Sequence, residues 1–204
     1  MPARVIVYID GFNLYFGLKS KGWKRYYWLN LKKLAENILN STQSLIFTKY
    51  FTSRISEPPS KVKRQGIYLE ALETLDNFKI YYGHYLSNPR TCKKCGNIEA
   101  VPNEKMTDVN IAVEMLSDAY EDNFDNAILI SADSDLVGPI QSILRLFPQK
   151  RVVIAFPPDR FSFALKEIAS ASFTIGRKKI AENVFPNEVT KKNGYILKKP
   201  ERWK

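Results

Sequence analysis

"AILISADSDLVGPI", residues 127–140, is the stretch on which the fold turns. Its four apolar residues, Ala127 to Ile130, form a short continuous run. That is the pattern of a strand buried on both faces in a parallel sheet. The run breaks at Ser131 and passes through Asp133 and Asp135 into "SDLVGPIQSILRLF", residues 134–147, which reads as a helix with Pro139 near its first turn. Two aspartates directly beyond a buried strand repel each other, so the placement needs an electrostatic reason.

The same strand-then-helix alternation extends in both directions. "RVIVYI", 4–9, is a strand that breaks at Asp10-Gly11, and "LNLKKLAENIL", 29–39, reads as a helix. "SLIFTKYFT", 44–52, is the second strand; "SKVKRQGIYLEALETLD", 60–76, is a helix with a cap-like Ser60 after two prolines; "FKIYYG", 78–83, is the third strand. Residues 84–106 are polar and contain proline, and read as an insertion or long loop. "TDVNIAVEMLSDAYE", 107–121, is a helix with Thr107 as N-cap. After the central stretch come "KRVVIAF" as the fifth strand, "RFSFALKEIA" as a helix and "SFTIG" as a sixth strand. The alternation predicts an α/β fold of three layers, with a central parallel sheet of five or six strands flanked by helices. One domain is expected over residues 1–180, followed by a loosely ordered basic tail at 181–204.

Composition narrows the function classes. With 45% hydrophobic and 25% charged residues the chain is that of a folded protein. Its apolar runs stop at about five residues, far below the roughly 20 of a membrane span, so no membrane partner is expected. Met1-Pro2-Ala3-Arg4 leads straight into a strand and leaves no room for a signal peptide, so a cytoplasmic location is expected. The 31 basic and 21 acidic residues give a net charge of +10, which suits a polyanion such as nucleic acid. Residues 177–204 carry nine Lys and Arg against three Glu, or +6 of that total, although a solubilising tail accounts for this equally well.

Cys92 and Cys95 in "RTCKKCGN" have the spacing of a metal knuckle, a candidate structural Zn²⁺ site. Structural zinc needs four ligands. His84, the single histidine, offers a third, and a carboxylate or a second subunit a fourth, which makes a homodimer one expectation. Two reduced thiols in a loop are the simpler alternative.

In an open parallel sheet, ligands bind outside the carboxyl ends of the strands where the strand order reverses. Asp10 ends the first strand, and Asp133 and Asp135 follow the fourth. A right-handed crossover topology can set those two strands side by side. Asp108 lies in line with Ala112, Met115 and Ala119, opposite a polar stripe of Asn110, Glu114, Ser117 and Asp118. A charge on that core-facing stripe is unfavourable unless paired or bound to metal, although a first-turn aspartate also suits the helix dipole. Four clustered carboxylates without histidine favour a hard cation, Mg²⁺ or Mn²⁺. A cation lowers the cost of ionising neighbouring aspartates; without one, at least one carboxyl is expected to have a raised pKa.

The combination of "VYIDGFNLYFGL", "EKMTDVNIAVEML", "DNAILISADSDLVGPI", "KRVVIAFPP" and "FSFALKEIASASFTI" resembles the NYN domain, the LabA-like branch of the PIN-like nuclease superfamily, over roughly residues 4–176. The resemblance implies a PIN-like fold and a metal-dependent ribonuclease site of clustered acids. Asp10, Asp108, Asp133 and Asp135 match the family's acidic positions, and Asn13 its asparagine, as an orienter of substrate or of metal-bound water; Asn13 could instead cap the first helix. Met106 stands where many relatives have glycine, and "SADSDL" has Ala132 and Ser134 where glycines are common.

Ser131 and Ser134 are candidate hydrogen-bond donors to the pocket or to phosphate, and Glu104 is a weaker site candidate. Arg54, Lys61, Lys63 and Arg64, near the end of the second strand, are candidates for RNA grip, with Phe12, Tyr15, Phe16 and Trp23 as stacking aromatics. The expected function is an Mg²⁺- or Mn²⁺-dependent ribonuclease acting on RNA. One alternative is an RNA-binding or regulatory module with little activity. Another is an aspartyl-nucleophile phosphotransferase, which the Asp-Gly after the first strand disfavours.

Overall fold

The structure, a computed structural model, describes residues 1–91, 96 and 98–204, with the strands at 84–91 and 98–105 described as backbone. The cysteine pair and its zinc expectation lie outside the described residues. The central sheet is built from β1 (Ala3–Asp10), β2 (Gln43–Thr52), β3 (Phe78–Tyr82), β6 (Asn126–Ile130), β7 (Arg151–Phe156) and β8 (Ala171–Thr174). Its spatial order is β3-β2-β1-β6-β7-β8, and every pairing is parallel. The predicted sixth strand is present. The order runs outward from β1 in one direction and from β6 in the other, so the chain reverses its winding between these two strands. Their register, Ile9 beside Ile130, brings residue 10 and residue 131 to the same edge.

Period two in β1 sends alternate side chains to opposite layers. Val5, Val7 and Ile9 pack with α1 (Gly11–Ser20), α2 (Leu31–Ile38), α3 (Pro59–Leu72) and α7 (Arg177–Glu182), through Leu14, Leu34, Leu69 and Ile180 among others. Ile6 and Tyr8 pack on the other face with α4 (Thr107–Tyr120), α5 (Val137–Leu146) and α6 (Phe163–Ile168), through Met115, Ile143 and Leu165. Two apolar cores, one on each side of a buried sheet, make the three layers.

Three expectations are corrected. Residues 84–91 and 98–105, read as a loop, are β4 and β5 of an antiparallel pair. Among the described residues each of these strands pairs with one other, and such edge strands tolerate proline, which has no N–H to donate. The tail, read as loose, is ordered. Glu188–Thr190 (β9) and Ile196–Lys198 (β10) pair antiparallel, and Phe185, Val189 and Leu197 are buried against the α1 to α3 core. Asp118, assigned to a polar stripe, is buried; its carboxylate accepts from Tyr8 Oη at 2.6 Å and pairs with Lys49 Nζ at 2.6 Å. Asp118 turns inward because β2 offers it a buried cation.

Thr107 is the first residue of α4, and the N-cap is Met106, which has φ +77° in the left-handed region. That conformation costs a non-glycine residue about 1 kcal/mol or more, and glycine would adopt it without that cost. Met106 is half exposed, so its side chain contributes little packing in exchange. Met106→Gly is expected to raise unfolding free energy by about 1 kcal/mol, read from the urea midpoint at unchanged m-value.

Candidate metal centre

The winding reversal between β1 and β6 is where an open parallel sheet has a crevice. Asp10, the last residue of β1, is only 1% exposed there. It is also the N-cap of α1: its Oδ1 accepts from the Asn13 backbone N–H at 3.0 Å. Its Oδ2 accepts from Asn13 Nδ2 at 2.6 Å and from Ser131 Oγ at 2.8 Å. Asn13 therefore does not cap the helix; it fixes the carboxylate that does.

Gly11 follows because nothing larger fits. A Cβ there would stand 2.6 Å from the carbonyl oxygen of Phe51 and 2.7 Å from Tyr50 Oη. The helix can thus start against β2 immediately after Asp10, which holds the carboxylate at the strand end.

Ser131, buried just beyond β6, joins two of the acids. Its hydroxyl donates to Asp10 and accepts from the Asp133 N–H at 3.0 Å. Asp133 then accepts the Asp135 N–H at 3.0 Å and caps a short 3₁₀ turn, Ser134–Leu136. Asp108 enters from the first turn of α4, half-buried. Asp10, Asp108 and Asp133 each place a carboxylate oxygen within 4.8 Å of the others.

Asp135, expected as a fourth ligand, does not join this group within that distance. It is exposed, on the 3₁₀ turn. With three residues per turn, positions i and i+2 point in different directions, so the two acids of the motif separate: Asp133 faces the crevice and Asp135 supplies a backbone donor. Ser134 is exposed on the same turn, and Glu104 lies on β5.

Burial raises the Asp10 carboxyl above its ordinary range. The hydrogen bonds from Asn13 and Ser131 pull the other way, and the charge of Asp133 adds to the rise. The expected raised carboxyl is therefore Asp10. An all-oxygen donor set with no thiol or imidazole among the described residues fits a hard divalent cation. Oxygens on opposite sides of such an ion at its usual 2.0–2.1 Å stand about 4 Å apart, so small side-chain movements would fit this group to one ion.

The proposed basic residues divide. Lys61 and Arg64, on α3, line a pocket of about 520 Å³ beside the carboxylate edge, with Phe12, Tyr15 and Phe16. Arg54 instead lies over the Tyr82 ring, 4.8 Å from its centroid, and donates to its hydroxyl at 3.2 Å. Lys63 and Trp23 do not line the pocket. Trp203, Tyr27 and Tyr68 do, and were not expected. They are dispersed in sequence and carry no periodic signal.

The profile of the NYN domain matches residues 4–176, from the start of β1 to beyond β8. The chain belongs to the NYN domain family. That places it in the PIN-like nuclease superfamily. A solved structure of a protein of unknown function, VPA0982 of Vibrio parahaemolyticus RIMD 2210633, shares the fold with a TM-score of 0.57 at 16% identity, covering 90% of this chain and 97% of that one. Among curated proteins, 6-hydroxy-3-succinoylpyridine 3-monooxygenase HspA of Pseudomonas putida (strain DSM 28022 / S16) is 28% identical over 193 residues, spanning 76% of this chain. This NYN-domain chain covers 60% of that relative's length. Among the described residues no helix is long and apolar enough to cross a membrane.

Proposed function

We propose that this NYN-domain protein is a divalent-metal-dependent ribonuclease that hydrolyses RNA phosphodiester bonds. The observation that carries the reading is the meeting of Asp10, Asp108 and Asp133 at the sheet's reversal point. Membership of a nuclease superfamily and the net charge of +10 support RNA as the substrate.

The three aspartates would hold Mg²⁺ or Mn²⁺. When bound, the cation supplies charge neutralisation at the phosphodiester and a more acidic water. The protein's own part is to present oxygens in a fixed arrangement. Asn13 and Ser131 lock the rotamer of Asp10, and Ser131 ties it to the chain at Asp133. Asp10 and Asp108 lie at the N-terminal ends of α1 and α4, where helix dipoles favour negative charge and offset part of their repulsion. Lys61 and Arg64 provide cations for the phosphates flanking the cleaved bond.

A labelled single-stranded RNA incubated with the protein is expected to be cleaved with Mg²⁺ or Mn²⁺ and to remain intact with EDTA. RNA bound with steep salt dependence but cut under neither metal would favour the alternative, an RNA-binding or regulatory module. The relative named as a monooxygenase acts, by its name, on 6-hydroxy-3-succinoylpyridine. The aromatic and cationic pocket gives that second reading, a small aromatic acid as ligand, a physical basis.

A further inference from the structure

The pocket beside the carboxylates has a composition that the metal centre does not explain. Its volume of about 520 Å³ is within the range of small-ligand sites, about 300–1,000 Å³. One wall is a run of rings in successive contact. Phe16 meets Tyr15 at 5.3 Å between centroids, Tyr15 meets Tyr27 at 5.1 Å, Tyr27 meets Trp203 at 5.8 Å, and Trp203 meets Tyr68 at 6.1 Å. Tyr15 and Phe16 remain about two-fifths exposed in this wall, which leaves ring surface for a ligand beside the Phe12 ring and the Lys19 and Arg160 cations that already lie against Phe16.

Cations complete the lining. Lys24, Lys61, Arg64 and Arg202 border the same space, and none of them is in an ion pair among the described residues. Among the described residues Glu57 is the one acid on the lining. Rings with unpaired cations around them make a site for a flat aromatic group that carries negative charge.

Position ties the pocket to the carboxylates. Gly11, on its wall, directly follows Asp10, and Tyr50, also on the wall, pairs in register with Ile9. Arg202 and Trp203 lie beyond residue 176, where the family match ends. The ordered C-terminal segment therefore brings to this pocket a ring and a cation from outside the matched domain.

We propose that this pocket is a nucleotide subsite, which stacks a base of the RNA against the aromatic wall and holds its phosphate with Lys61, Arg64 and Arg202. It rests on the ribonuclease reading for the identity of the ligand as RNA. The C-terminal segment is then a substrate-selecting element and not a solubilising appendage.

Isothermal titration calorimetry in EDTA, with uridine and adenosine 5′-monophosphates and with a pyridine carboxylate as probes, tests this without catalysis. The intact protein is expected to bind at least one nucleotide saturably and more tightly than the pyridine acid. Trp203→Ala is expected to weaken that binding about tenfold, as loss of a stacking partner does. Lys61→Ala/Arg202→Ala, both at exposed positions that leave the packing intact, is expected to weaken it about fivefold or more.

No saturable nucleotide binding, or binding indifferent to both the Trp203 and the Lys61/Arg202 substitutions, would overturn the subsite. Preference for the pyridine acid would overturn it too, in favour of a small aromatic acid. RNA cleavage without nucleotide binding would leave the ribonuclease reading standing while removing the subsite, and nucleotide binding without cleavage would do the reverse.

Discussion

Asp10→Asn is expected to lower kcat/KM on single-stranded RNA by on the order of 10²–10³ or more, the scale on which a preorganised electrostatic contact at a reacting centre acts. Asp10 is the most buried of the three grouped acids and is fixed by three hydrogen bonds from side chain and backbone donors. Thermal denaturation distinguishes loss of metal from loss of fold. A cation at one hundred times its Kd stabilises the native state by about 2.7 kcal/mol, or about 5–10 °C in Tm for a chain of this size. The wild type is expected to show that rise with Mg²⁺ or Mn²⁺, and the variant to show none.

The metal-free protein carries a pH signature of opposite sign to that of an ordinary salt-bridged carboxylate. Asp10 has its folded pKa raised, chiefly by burial. Its proton is thus held more tightly in the fold, and the associated stability is fully present below the unfolded pKa of about 3.9. It is lost as pH rises through the folded value. Asparagine resembles the protonated form, so metal-free Asp10→Asn should lack this component and be no less stable than wild type at pH 7. A variant that unfolds readily at pH 7 would mean that Asp10 serves chiefly to build the fold.

Lys49→Met is expected to cost about 3–5 kcal/mol in unfolding free energy, the largest stability effect of any substitution considered, because it leaves buried carboxylate without its cation. Lys49 is 8% exposed, and its ammonium sits 2.6 Å from Asp118 and 2.7 Å from Glu114. Burial pulls the Lys49 pKa down, but the hydrogen bonds to Asp118 and Glu114 together outweigh it, and the net shift is upward. The ion pair ties the second strand to α4, which carries Asp108. Chemical denaturation measures the loss, and Lys49→Met/Asp118→Asn should recover part of it, since asparagine still accepts from Tyr8 without a buried charge. A double variant no more stable than Lys49→Met would show that the uncompensated charge is not the cause.

What was legible in the sequence follows from where periodicity is strong. The buried strands announce themselves as apolar runs, and the acids that end them stand out because charge follows burial directly; Asp10 and Asp133 carry that signal, Asp108 carries one in its line with Met115 and Ala119, and the three carboxylates converge. The pairing of β1 with β6 was an inference from topology, and the register bears it out. Spacing alone does not reveal that the chain enters a 3₁₀ turn after Asp133, which leaves Asp135 outside the group of three carboxylates.

Lys49 carries a signal of its own in the sequence. In "FTKYF" it alternates with Phe47 and Phe51, which pack on the α4 side of the sheet, so period two already placed a lysine on a buried face. Such a lysine requires an acid opposite it. Asp118 meets that requirement, buried and off the polar stripe. The C-terminal segment gave no comparable sign, since its strands are three residues long and its buried Phe185, Val189 and Leu197 fall at irregular intervals.

The most direct test of the metal centre is anomalous diffraction from crystals grown with Mn²⁺, recorded at the manganese edge. The account predicts a peak about 2.1 Å from carboxylate oxygens of Asp10, Asp108 and Asp133, absent in Asp10→Asn crystals grown the same way. A saturating Mn²⁺ soak that leaves this crevice without a peak, or places the ion away from these three side chains, would contradict it.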